Sequence, residues 1–271
     1  MRVNGRWLAA LLLLAVLPLS GCGFSTKLQS RDRLNKGVKA FSDQKYADAV
    51  MYFNKSIELD PTIEEAHMYL ATAYMMQYIP GSIDPKNEDN AQKAIQTFTD
   101  VVRRSEEKGK PNINAMLAIA NLNYQLKDID QTRDWCTRVL ELEAVTEEEK
   151  IQKAEAHYRI AVLLYDNVHE RTGILGEKVQ TLEQADKDQI MAYIDEGLGH
   201  LEASIGIRPD YFDAMMYQNL LWREKEKMVD DSEAKLDLIR KADIAYSKAV
   251  KLKLEAEAEE ASKHKKLNLG N

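Results

Sequence analysis

The chain is poor in residues that would hold a fold covalently or interrupt a helix. Only two of its 271 residues are cysteine, six are proline and twelve glycine. So few thiols exclude the disulfide framework of a small secreted domain, and packing has to supply the stability. So few helix breakers, in a chain rich in Ala, Leu, Glu and Lys, favour helix throughout. A basic excess is missing too, since 37 Lys and Arg stand against 44 Asp and Glu for a formal charge of −7. An acidic chain without a basic stripe is a poor ligand for nucleic acid, where phosphate neutralisation supplies most of the affinity. The apolar run Trp7–Leu17 is too short for a permanent span, which takes roughly 20 apolar residues.

What that run does resemble is an export signal. Arg2 and Arg6 precede it, and Leu19-Ser20-Gly21-Cys22 follows with small residues before a cleavage point. The tetrapeptide resembles the lipobox of bacterial lipoproteins, in which the signal peptide is removed ahead of the cysteine. The resemblance implies that residues 1–21 are a signal peptide and that Cys22 is diacylated. Residues 22–30 then form a short tether, and Cys136 has no internal partner. It also implies a lipid-anchored protein with its body in the periplasm. Gly23 stands where Asp would signal inner-membrane retention, so the outer membrane is the expected address, with the inner membrane and cell surface as alternatives. Without residues 1–21 the basic count falls from 37 by two, against 44 acidic residues, for a formal charge of −9. That charge opposes anionic headgroups, so attachment rests on two or more acyl chains at roughly 0.8 kcal/mol per buried CH₂.

Downstream, a spacing recurs. Leu34, Gly37, Val38 and Phe41 are followed by Tyr46, Ala49, Phe53, Ile57 and Pro61. Gly37 and Ala49, twelve apart, let two helices approach closely, and Pro61 cannot continue the second. The pattern returns at Ala66, Leu70, Ala71 and Tyr74 with Ala94, Phe98 and Val102, then at Ala115, Ile119, Ala120 and Tyr124 with Thr132, Cys136 and Leu140. A fourth pair uses Ala156, Ile160, Ala161 and Leu164 with Gly197, Leu201 and Ile205. A fifth runs from Tyr211–Ala214 and Leu221 to Ala242, Tyr246, Ala249 and Val250. These residues resemble tetratricopeptide (TPR) repeats, helix pairs of about 34 residues. The resemblance implies an all-α, right-handed superhelical solenoid of about five antiparallel pairs over residues 31–252. Residues 253–271 read as a charged helical extension and tail. Lys36, where the pattern prefers Leu, suits a first repeat without an upstream neighbour.

Three pairs carry extra residues between their helices: Tyr78–Pro85 and its polar continuation, residues 166–188, and Lys225–Lys235. The first, with two prolines, should be a true loop, and the others should lengthen hairpins. They are either tolerated surface growth, which is cheap, or a shared contact edge.

No enzyme, metal or cofactor signature is present. The five histidines never take a metal-ligand spacing, and His169 reads as a surface residue. Ser232-Glu233-Ala234-Lys235 lacks the companions of a penicillin-recognising site, and Ser232 reads as a helix N-cap. Gly173 and Gly176 follow no strand, which speaks against a phosphate loop. Cys136 reads as buried and inert, because no neighbouring feature would depress its pKa.

What remains is binding. By the resemblance, the first helix of each pair lines a concave groove. That places Met68, Thr72, Met75, Leu117, Asn121, Tyr124, Tyr158, Val162, Tyr165 and Met216 on the groove, unless they pack against neighbouring helices instead. Methionine adapts to irregular partners. Of the family's carboxylate clamp only Asn121 has a counterpart. The expected function is a non-enzymatic scaffold for envelope proteins, with a small-ligand transport receptor as the alternative.

Overall fold

The computed structural model describes residues 21–269. The signal segment and the side chain of Cys22 lie outside the described residues, as do residues 270 and 271. Among the described residues ten α-helices occur in five consecutive pairs and there is no strand. The pairs are α1 (Gly21–Ser42) with α2 (Tyr46–Leu59), α3 (Glu64–Met75) with α4 (Pro85–Glu106), α5 (Ile113–Gln125) with α6 (Ile129–Glu141), α7 (Glu147–Thr172) with α8 (Gln184–Ile207), and α9 (Phe212–Lys227) with α10 (Ser232–Leu269). These are the five pairs that the repeat predicts. The chain divides into two compact units, the first ending at Leu122 and the second beginning at Asn123.

In the first unit, Phe53 is fully buried, as are Ala49, Ala66, Ala71, Ala73, Ala91 and Ala94. Small residues set how closely the helices approach. A Cβ on Gly37 would stand 2.5 Å from Cε1 of Phe53, so α1 and α2 meet there through glycine alone. Lys36 is solvated and pairs with Asp32 at 2.7 Å, as suits an end helix. The boundary expected at residue 31 moves, however, because α1 begins at Gly21. Ser30 is buried, and its hydroxyl donates to the Ser56 carbonyl at 2.7 Å. Residues 22–30, expected as a short tether, are helical, and Ser30 contributes to the first hairpin.

Cap chemistry explains the remaining boundaries. Asp84 accepts from the Lys86 amide at 2.9 Å, with Pro85 in the first turn of α4. The proline-containing loop of residues 76–84 is the expected one, and Asn87 pins it through two hydrogen bonds to the Ile79 backbone. Its polar continuation is the start of α4 rather than more loop. Thr146 and Glu149 form a reciprocal capping box on α7. At α10 the cap is Asp231, whose Oδ2 accepts from the Ala234 amide at 2.7 Å, while Ser232 is the first helical residue. The insertion after Asp166 lengthens α7 to Thr172, turns at Gly173 with φ 82°, and passes through a short 3₁₀ turn before α8.

The second unit packs Ala161, Val168, Ile190, Ile194, Leu198, Leu201, Tyr211, Ala214 and Leu221 in one core. Gly197 again permits a close approach, since a Cβ there would lie 2.7 Å from Leu221 Cδ1. Tyr246, expected in the core of the fifth pair, is 47% exposed, and Ala242, Ala245 and Ala249 hold the interface instead. Residues 253–263 of α10 are exposed throughout, so the extension has no core to join.

Candidate functional site

The tyrosines of the second unit converge. On α7, Tyr158, Val162 and Tyr165 recur at i, i+4 and i+7, which places them on one face. Tyr124 approaches from the end of α5 and Tyr217 from α9. Tyr124, Tyr158, Arg159, Val162 and Tyr217 line a cleft of about 160 Å³. Tyr217 stands edge-on to two neighbours, with centroids 5.5 Å from both Tyr158 and Tyr165 and interplanar angles of 83° and 86°. Such edge-to-face pairs stabilise by about 0.5–1.5 kcal/mol beyond their buried area. The ring walls are therefore fixed before any partner arrives.

Carboxylates hold two of the tyrosine hydroxyls of this unit. The Tyr124 hydroxyl donates to Asp166 Oδ2 at 2.5 Å, and the Tyr211 hydroxyl donates to Glu155 Oε2 at 2.5 Å. Glu155 also pairs with Arg159 at 2.8 Å. Burial raises the Tyr124 and Tyr158 hydroxyls well above the ordinary tyrosine range and also raises that of Tyr217. Tyr165 is pushed up to about 12 by burial and then by Glu224. All four stay protonated, as neutral donors, at any physiological pH.

The residues expected on one groove separate. Tyr124, Tyr158 and Val162 line this cleft, with Tyr165 packed beside it. Met68 and Thr72 line a different cavity of about 410 Å³ in the first unit, with Phe41, His67, Tyr69, Val101 and Arg104. Met75, Leu117, Asn121 and Met216 are half-buried and line neither. On α9 the cleft residue is Tyr217, one position beyond the expected Met216. The helix phase decides this, because Ala214, Met215 and Leu221 turn inward.

Two polar clusters leave no local mark in the sequence because their members lie far apart in the chain. His157 Nδ1 and His200 Nδ1 are 2.8 Å apart, joining α7 to α8. Glu196 bonds Arg133 of α6 at 2.7 Å and lies 3.9 Å from His200. Burial, then His200 and Lys153, lower the His157 pKa to about 4, and burial lowers that of His200. A base with a folded pKa below its unfolded value of about 6.5 stabilises the fold fully above that value. Between about pH 6.5 and 4 the unfolded chain binds more protons, so stability falls as pH falls. After allowance for solvent screening the loss is about 1–2 kcal/mol. Urea midpoints at pH 7.5 and pH 5 should separate in the native chain and draw together in His157→Gln.

The second cluster surrounds Glu224, only 2% exposed. It accepts from Thr172 Oγ1 at 2.7 Å and from Lys227 Nζ at 2.8 Å, and it lies 2.7 Å from His169 Nδ1. His169 is therefore no isolated surface residue. It also stacks on Tyr165 with centroids 5.3 Å apart, which links this cluster to the cleft wall. Lys227 Nζ reaches the Gly173 carbonyl at 2.9 Å, so the glycine pair belongs to a helix-end staple. Cys136 is fully buried, and burial pushes its thiol up to about 12. Native protein should leave it unlabelled by iodoacetamide, with labelling appearing only in denaturant.

Among the described residues no helix is long and apolar enough to cross a membrane, and no three His, Cys, Asp or Glu side chains could hold a metal ion.

The architecture has counterparts among solved structures. The chain is similar to a structure described as MamA protein, at 16% identity and a TM-score of 0.54, over 84% of this chain and 94% of that one. A second MamA structure gives 17% identity and a TM-score of 0.53, over 82% and 96%. YrrB, described as a TPR protein with an unusual peptide-binding site, gives 16% identity and a TM-score of 0.49, over 82% and 90%. No protein-family model matches the chain, and no curated protein does. At this level of identity the likeness is one of fold, and that fold is the all-α TPR-type array of helix pairs.

Proposed function

We propose that the chain is a non-enzymatic interaction module that receives a segment of a partner protein at the tyrosine-lined cleft of α5, α7 and α9. One observation carries this reading: rings of α7 and α9 pack edge-to-face and Tyr124 of α5 is held by Asp166, so that three helices bring tyrosines to one open cleft. Preorganised aromatic surface is the kind of anchor that dominates protein interfaces, because little side-chain entropy is left to lose. The TPR-type fold is consistent with it.

The anchoring part of the proposal rests on the sequence around Cys22. Lipid on that cysteine would hold the module at the periplasmic face of an envelope membrane, with the outer membrane as the expected one and envelope proteins as partners. Attachment to a surface raises the effective concentration of partners there. As helix, residues 23–30 span about 12 Å at 1.5 Å per residue, less than half the reach of an extended tether. The first unit would then ride close to the bilayer.

A second reading follows from the cavity of about 410 Å³ in the first unit, a volume within the range of small-molecule sites. It is partly enclosed, and its lining is mainly apolar with His67 and Arg104 among the polar groups. Native mass spectrometry of the purified chain would show a bound small molecule only under this second reading.

The test of the main reading is crosslinked co-purification from native membranes. A Tyr124→Ala, Tyr158→Ala variant that keeps its helical circular dichroism should lose specific partners. An unchanged partner list in that folded variant would sink the proposal.

A further inference from the structure

The charges around the cleft select what it holds. Asp166 and Asp213 are exposed, and among the described residues neither pairs with a cation. Both act on Tyr217, whose hydroxyl is raised first by burial and then by these two carboxylates. The one cation in the lining, Arg159, is already balanced by Glu155 at 2.8 Å. Three phenol rings line a space of about 160 Å³, enough for one long side chain, and Asp166 and Asp213 each stand one helical turn from a lining residue, Val162 and Tyr217 respectively.

Resting on the reading of the cleft as a partner site, we infer that its occupant is a lysine or arginine side chain projecting from the partner segment. Ring faces attract a cation within about 6 Å of their centroids, more strongly where water is excluded. Asp166 and Asp213 add Coulomb attraction beside the rings, and the neutral phenols remain hydrogen-bond donors and acceptors around it. An apolar side chain of equal length would gain the burial without the charge terms. A carboxylate would face two like charges and lose affinity.

The probes are three nine-residue Gly-Ser peptides, identical except for a central arginine, norleucine or glutamate. Their binding is read from tyrosine ring signals in the NMR spectrum of the detergent-solubilised full chain. The arginine peptide should bind about tenfold more tightly than the norleucine peptide, and the glutamate peptide most weakly. That preference should shrink as salt rises. Asp213→Asn changes an exposed position and leaves the hydrogen bond between Tyr124 and Asp166 in place. It should reduce the tenfold preference to about threefold while leaving norleucine binding unchanged. Norleucine binding equal to arginine, tighter binding of glutamate, or indifference to Asp213→Asn would each overturn the inference while leaving the cleft as a binding site. Failure of all three peptides to bind would overturn both the inference and the reading beneath it.

Discussion

Glu224→Ala should lower the stability of the second unit by about 3–5 kcal/mol, the range for breaking a buried ion pair from one side. The carboxylate is 2% exposed and its partner Lys227 carries a side chain only 13% exposed. Removing Glu224 strands that ammonium and the Thr172 hydroxyl, both of which donate to it. The damage comes from the orphaned partners rather than from the lost bonds, which are individually modest. Glu224→Ala with Lys227→Met should therefore recover a large part of the loss, because the buried charge goes with its partner. Chemical denaturation monitored by circular dichroism gives the two values. A loss below about 1 kcal/mol in the single variant would mean that water reaches the site after all.

In the first unit, Phe53→Ala should cost about 3–5 kcal/mol, as expected for deleting a fully buried aromatic side chain. Gly37 makes this prediction sharper. Gly37→Ala would gain up to about 1 kcal/mol of helix propensity at a solvated position. Here the new methyl would meet the Phe53 ring at 2.5 Å, so overpacking of about 1–3 kcal/mol should win. Combined with Phe53→Leu, the same Gly37→Ala should become much less harmful, since the smaller side chain vacates the contact. Residues in contact are non-additive in this way, and the double-mutant cycle measures it. Additive losses would show that α1 and α2 do not meet through this pair.

Gly37 also illustrates why the helix pairs were legible in the sequence. A close approach of two helices needs a small residue, and the need leaves a mark at fixed spacing. Gly37 and Ala49, and later Gly197, are such marks, and in the structure each lies where a larger side chain would clash or find no room. The α7 side of the cleft could be read for a similar reason, because Tyr158, Val162 and Tyr165 follow the helical period. Tyr217 was missed by one position. With Met215, Met216 and Tyr217 in succession, apolar character alone does not fix the phase of α9. The inward turn of Ala214, Met215 and Leu221 does.

Polar contacts left no such mark. His157 and His200 stand 43 residues apart, and Thr172 and Glu224 are 52 apart. Each pair exists only because particular helices pack side by side, and local spacing carries no trace of that. Ser30 was missed at the other end of the chain, since its bond to Ser56 depends on α1 beginning ten residues before the repeat pattern does.

The claim that matters most is that a partner protein enters the cleft between the tyrosines. A photoreactive phenylalanine derivative at position 124 of the full chain, activated in native membranes, tests it directly. Position 244 on α10 serves as control, because Ile244 is 63% exposed and lies outside the tyrosine cleft. The account predicts a defined protein adduct from position 124 that Asp213→Asn weakens, and little from position 244. Equal labelling from both positions, or none from 124 alone, would contradict it.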